Sequence, residues 1–184
     1  MSRSLFEWSR KTFYPDCHAV HDERLSFINR GMSIALPAVW LIQTPPSFRD
    51  EKVGTSRRNT LEAVAIRRFA QALNGVDLGI ISPYRAQVDK LRDILPGVSV
   101  CTCDTFQGDE KAAIIISMTR NHTVSEFLTD PRRLNMALTR AAKHVAIFGN
   151  IDMLKHNSSW ATLINIHKDA IIEYPKFVRM YSAL

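Results

Sequence analysis

Residues 78–118, LGIISPYRAQVDKLRDILPGVSVCTCDTFQGDEKAAIIISM, decide the fold class. A short apolar run from Leu78 to Ser82 is followed by helical periodicity from Tyr84 to Leu95, which Pro96-Gly97 stops. Two further short runs, Val98 to Cys103 and Ala112 to Met118, flank a polar stretch. Runs this short and this continuously apolar, with an amphipathic helix between them, predict parallel strands buried on both faces. Upstream, Thr60 can cap a helix carrying Leu61, Val64, Ala65, Phe69 and Leu73 at helical spacing, ended by Asn74-Gly75. Downstream, the pattern predicts a helix over Arg132 to Arg140, a strand over Val145 to Gly149 and a closing helix over Trp160 to Lys168. The fold class is α/β, a parallel sheet with helices on both faces.

The rest of the 184 residues divides around this unit. Residues 44–59, TPPSFRDEKVGTSRRN, read as a linker-like loop with two prolines, a glycine and several charges. Residues 1–43 form a less regular lead-in that ends in the strand-like run AVWLIQ. The domain proper spans 60–184. At 46% hydrophobic and 23% charged residues, the chain can bury enough surface to fold, which excludes a disordered tail. The densest apolar stretch, Met32 to Ile42, is broken by Pro37 and is too short for a membrane span, so no membrane partner is expected. The opening residues carry charge where a secretory signal needs an apolar core. Three cysteines without regular spacing argue for a reducing, intracellular compartment, cytoplasmic or nuclear. A net charge of +6 is compatible with a polyanionic partner without requiring one.

In parallel sheets, ligands bind where the carboxyl ends of strands open into loops. Three polar segments follow predicted strands: Ser82-Pro83-Tyr84, Asp104 to Lys111, and the loop into Arg132-Arg133. In the second, Gly108 lets the backbone turn closely, while Gln107 and Glu110 offer an amide and a carboxylate; a hydrated turn would use the same residues. In the third, Arg133, Ala137 and Arg140 lie near one helical side, as a phosphate site or a solvated basic helix would have them. Cys17, His18 and His21 lack the partner set of a zinc site, and no metal is expected. Cys101 and Cys103 fall on one face of the predicted strand and read as packed thiols.

Taken in order, these segments resemble motifs IV, V with Va, and VI of superfamily 1 helicases, closest to the up-frameshift and senataxin-like branch. SPYRAQ (82–87) resembles T/S-P-Y-x-x-Q, and TCDTFQGDEK (102–111) resembles T-V-D-x-F-Q-G-x-E-K. DPRRLNMALTRA (130–141) matches D-P-R-R-L-N-V-A-L-T-R-A at all but one position. GTSRRNTLEA (54–63) is similar to G-T-S-x-x-N-x-x-E-A, and SRKTFYPD from Ser9 is similar to the stretch after Gln-Tyr-Arg-Met-His-Pro.

The resemblance implies the second of two RecA-like domains that sandwich ATP, a P-loop NTPase fold without its own P-loop. By the same resemblance Arg140 is the arginine finger and the catalytic residue, and Glu110 receives the ribose. Gln107 and Gly108 lie near the γ-phosphate. Arg85, Thr102, Asp104 and Arg133 touch single-stranded RNA or DNA. The chain has no Gly-Lys-Ser/Thr tripeptide, and its Asp-Glu pairs, Asp22-Glu23, Asp50-Glu51 and Asp109-Glu110, do not end apolar strands. ATP and Mg2+ are therefore expected only with an N-terminal RecA-like domain in cis or in trans, and no hydrolysis from this chain alone. The rival reading is a stand-alone half-helicase that binds RNA or docks on a complete helicase. Having Glu110 and Arg140 together in register favours a domain built for ATP work.

Overall fold

The computed structural model describes residues 3–17, 24–29, 32–106, 110–123 and 130–182. In chain order its elements are α1 (Arg3–Phe13), β1 (Leu25–Asn29), β2 (Met32–Leu36), β3 (Val39–Gln43), β4 (Glu51–Val53), β5 (Ser56–Arg58) and α2 (Thr60–Ala72). Then come β6 (Leu78–Ile81), α3 (Arg85–Ile94), β7 (Ser99–Cys101), β8 (Lys111–Ser117), α4 (Pro131–Leu138) and β9 (Ala141–Gly149). The last are α5 (Ile151–Leu154), α6 (Ser158–Ile166), β10 (Ile171–Glu173) and α7 (Tyr174–Ser182).

Six strands form one sheet in the order β10-β3-β9-β8-β6-β7, and every pairing is parallel. Alternation along each strand sorts the core into two layers. On one face Trp40, Ile42, Ile115 and Phe148 meet α2, α3 and α7. On the other, Leu41, Ile114, Ile116 and Ile147 pack with Leu5 and Trp8 of α1, Leu134 of α4 and Trp160 of α6. The predicted α/β sheet with both faces covered is the observed architecture.

Three local readings shift. The cap of α2 is Asn59, whose carboxamide oxygen accepts from the Glu62 N–H at 3.0 Å, so Thr60 is the first helical residue. The strand expected over Val98 to Cys103 ends at Cys101, because Thr102 and Thr105 form a reciprocal capping box that turns the chain into a 3₁₀ turn at Cys103–Thr105. Cys103 is buried there, and burial pushes its thiol up to about 12, which suits a packed thiol. The helix predicted to close the chain is α6, and it is followed by β10 and α7. Phe177 of α7 is fully buried among Trp40, Phe69 and Phe148, with ring centroids 5.0–5.6 Å away.

The lead-in and the linker-like loop are built into this body. β3 lies inside the sheet between β10 and β9. Residues 51–58 fold back as the β4–β5 hairpin, turned at Gly54 (φ +59°) and pinned by Arg57–Asp50 at 2.6 Å and Arg58–Glu51 at 2.8 Å. His18 and His21 lie outside the described residues.

Candidate functional site

All strands of the sheet run the same way, so its two edges are chemically different. Ser82, Thr102, Thr119 and Asn150 leave the carboxyl edge, after β6, β7, β8 and β9. Arg85 is exposed at the first position of α3. Arg133, in the first turn of α4, approaches Asp104 at 3.9 Å, and this ion pair is largely exposed. Arg85, Thr102, Asp104 and Arg133, the four expected strand contacts, therefore gather on the carboxyl edge. The hydroxyl of Thr102 is engaged with Thr105 at 2.9 Å, a contact that shapes the turn.

Glu110 and Arg140 lie at the opposite edge. Lys111 pairs with Ala141 where β8 and β9 begin, and the Arg140 carbonyl accepts from the Lys111 N–H at 2.9 Å. Glu110 and Arg140 thus enter neighbouring strands side by side. Glu110 is exposed. Arg140 is half-buried, with its Nε donating to the Met136 carbonyl at 3.3 Å and its η nitrogens unpaired among the described residues. A carboxylate open to solvent beside a guanidinium with spare donors suits a nucleotide completed by another body. Gln107 and Gly108, expected near the same nucleotide, lie outside the described residues. Among the described residues no group of three or more His, Cys, Asp or Glu side chains is placed to hold a metal ion.

Between β6, β8 and α2 sits a buried polar network that the sequence reading did not assign. Glu62 is fully buried, and its Oε1 accepts from the Ser117 hydroxyl at 2.6 Å and from the Thr119 N–H at 2.9 Å. Burial pushes its carboxyl up to about 7, the two hydrogen bonds oppose that rise, and the charge of Asp50 adds to it. Gln87 accepts from the Asn59 N–H at 2.8 Å and donates to Ser117 Oγ at 3.0 Å. The amide of Asn59 donates to the carbonyls of Phe48 (2.9 Å) and Thr119 (3.0 Å). Thr119 Oγ1 and Ser82 Oγ are 3.1 Å apart. Asn121 bonds Thr44 Oγ1 at 3.0 Å and the Pro45 carbonyl at 3.1 Å. Two motif segments, 54–63 and 82–87, are thereby tied to the end of β8. Asn59, Glu62 and Gln87 carried a signal as polar residues at set places in those motifs; Ser117, Thr119 and Asn121 carried none.

Comparison with known proteins places this geometry. Residues 1–152 match a family model described as an AAA domain. DNA polymerase alpha-associated DNA helicase A of Saccharomyces cerevisiae is 30% identical over 162 residues, covering 76% of this chain and 23% of the relative. The regulator of nonsense transcripts 1 homolog of Arabidopsis thaliana is 34% identical over 142 residues, covering 66% and 11%. An ATP-dependent helicase of Methanocaldococcus jannaschii is 30% identical over 199 residues, covering 94% and 30%. The matched stretch is thus under a third of the length of each of these curated relatives. Among solved structures, the C-terminal domain of a possible DNA helicase from Lactobacillus plantarum aligns with a TM-score of 0.46 at 14% identity, over 76% of this chain and 85% of that one.

Sheet and relatives together define a RecA-like α/β domain of the helicase class. The chain belongs to the AAA-domain family and, within it, is a C-terminal superfamily 1 helicase domain of the up-frameshift and senataxin-like branch.

Proposed function

We propose that this domain works as the second half of an ATP-dependent motor, with its two sheet edges performing different tasks. On this reading Arg140 is the arginine finger of a composite ATP site, Glu110 receives the ribose, and Gln107 and Gly108 lie beside the γ-phosphate. The observation that carries it is the placement of Glu110 and Arg140 on adjacent strand starts, with the Arg140 η nitrogens unpaired among the described residues. ATP, when held by a first RecA-like domain with Mg2+, supplies the cleavable phosphoanhydride. This chain's part is to bring a planar guanidinium to the charge developing on the transferred phosphoryl group, a contribution of roughly 10³- to 10⁵-fold in rate.

At the carboxyl edge Arg85, Thr102, Asp104 and Arg133 form part of a track for single-stranded RNA or DNA. Contacts of this kind go to phosphate and sugar and grip without sequence preference. α4 supports the reading of a coupled pair of sites: it begins at Arg133's end of the sheet and finishes two residues before Arg140. A rigid element of eight residues therefore links the strand edge to the nucleotide edge.

The test is complementation. An N-terminal RecA-like domain of a matching helicase is purified alone and fused to this chain, and phosphate release is measured with and without a single-stranded oligonucleotide. Strand-stimulated release is expected from the fusion and from neither half. Hydrolysis by the 184-residue chain alone, or a fusion no faster than the first domain, would overturn the proposal.

A further inference from the structure

The end of β8 is strained in a way the network above is built to hold. Among the described residues, Thr119 is the one non-glycine residue with positive φ, at +67°. The Arg120 N–H donates back to the Met118 carbonyl at 2.7 Å, which closes a three-residue γ-turn of the strained hand. A β-branched residue at its centre costs on the order of 1–3 kcal/mol. Each polar group of Thr119 is nevertheless fixed, its N–H on Glu62, its carbonyl under Asn59 and its hydroxyl against Ser82. On the far side Asn121 is clamped by Thr44 and the Pro45 carbonyl, and its own carbonyl accepts from Asn150 at 2.8 Å.

One residue inside this clamp lacks an acceptor. Arg120 is half-buried, and its Nε is shielded from solvent with no hydrogen-bond partner among the described residues. An unpaired guanidinium nitrogen out of water is costly, and an anion removes that cost. Its place is also informative. β8 lies between β9 and β6, so Arg120 leaves the carboxyl edge near its middle, with Arg85 and Arg133 following elements on the same edge.

We propose that Arg120 is a further phosphate-binding residue of the single-strand track, presented by the γ-turn that Glu62, Asn59 and Ser82 hold in place. The ligand group is the phosphodiester of a single strand, and the fork of the guanidinium suits two of its oxygens. This inference rests on the strand track proposed above.

The test uses the 184-residue chain and fluorescein-labelled 20-nucleotide oligouridylate and oligothymidylate, read by anisotropy from about 50 to 200 mM salt. Arg120→Gln should weaken binding about five- to tenfold and reduce the slope of log affinity against log salt by about 0.7, one phosphate contact's worth on a single strand. Arg120→Lys should keep the wild-type slope, since a cation remains, and serves as the second variant should the glutamine disturb folding. Loss on only one of the two oligonucleotides would still support the contact and would name the strand. An Arg120→Gln affinity and slope equal to wild type, beside a weakened Arg133→Ala, would overturn this inference and leave the track standing. Absence of binding by the wild-type chain would overturn the track itself. Weakening with an unchanged salt slope would make Arg120 a structural residue only.

Discussion

The two edges of one parallel sheet are finished to different degrees. At the carboxyl edge, Asn59, Glu62, Gln87, Ser117 and Thr119 are buried and bonded to one another, Asn121 is buried and bonded to Thr44 and Pro45, and the loops they hold are fixed by the domain itself. At the amino edge Glu110 stands in solvent and Arg140, among the described residues, makes a single side-chain bond, to the Met136 carbonyl of the preceding helix α4. Under the proposed function, preorganisation falls at the edge that would grip the strand, and open donors at the edge that a second domain would complete.

The largest effect separating the edges should come from Glu62→Ala. It leaves the Ser117 hydroxyl and the Thr119 N–H unpaired in the interior and should cost about 3 kcal/mol or more in chemical denaturation. Glu110→Ala, at the open edge, should stay within about 0.5 kcal/mol of wild type in the same assay. Equal losses at the two glutamates would erase the distinction. Glu62→Gln keeps an oxygen for both donors and should fall between them.

A smaller effect concerns pH. Unfolded, Glu62 releases its proton near 4.5; folded, it holds that proton up to about 7. Folding takes up a proton between those values, so Glu62 makes stability fall as pH rises through that window. His144 acts with the opposite sign. Burial drives its imidazole down to about 4, against the hydrogen bond its Nδ1 makes to the Pro37 carbonyl, so its stability is present above 6.5 and is lost as pH falls towards 4. The two offset between about pH 4.5 and 6.5. Glu62→Gln should therefore expose a stability that climbs with pH over that interval, and His144→Gln one that declines, each by about 2 kcal/mol. His167, also pushed down by burial, contributes to every variant and drops out of the difference. Denaturation curves at pH 5, 6, 7 and 8 that stay parallel for wild type and both variants would contradict the signs given.

Most strands and helices of 60–166 were legible because each has a local signal: continuous apolar runs for β6 and β8, helical spacing in α2 and α3, and glycines at the turns after them, Gly75 and Gly97, with φ of +83° and +87°; the four-residue α5 is too short to show one. What was not legible is non-local. The run AVWLIQ reads as a strand, but its position between β10 and β9 depends on pairings with residues more than a hundred positions away. β10 has three residues and α7 carries Pro175 at its second position, so neither displays a full period. For the site, the motifs pointed to Arg85, Asp104, Arg133, Glu110 and Arg140, and the structure sorts them onto two edges. The γ-turn at Thr119 had no sequence cue, because a threonine with positive φ is the opposite of what local preference predicts. Only the Glu62 carboxylate and the Asn59 amide, brought in from α2, make it tenable.

The division of labour itself is tested by one paired measurement on the fused two-domain protein: ATP turnover and single-strand affinity for Arg140→Ala and Arg133→Ala side by side. Arg140→Ala should lose turnover by about a thousandfold or more while binding the oligonucleotide within about twofold of wild type. Arg133→Ala should weaken strand binding and flatten its salt dependence, with turnover recovering at saturating oligonucleotide. Near-normal turnover in Arg140→Ala, or matching losses of both activities in both variants, would contradict the assignment of the two edges to separate tasks.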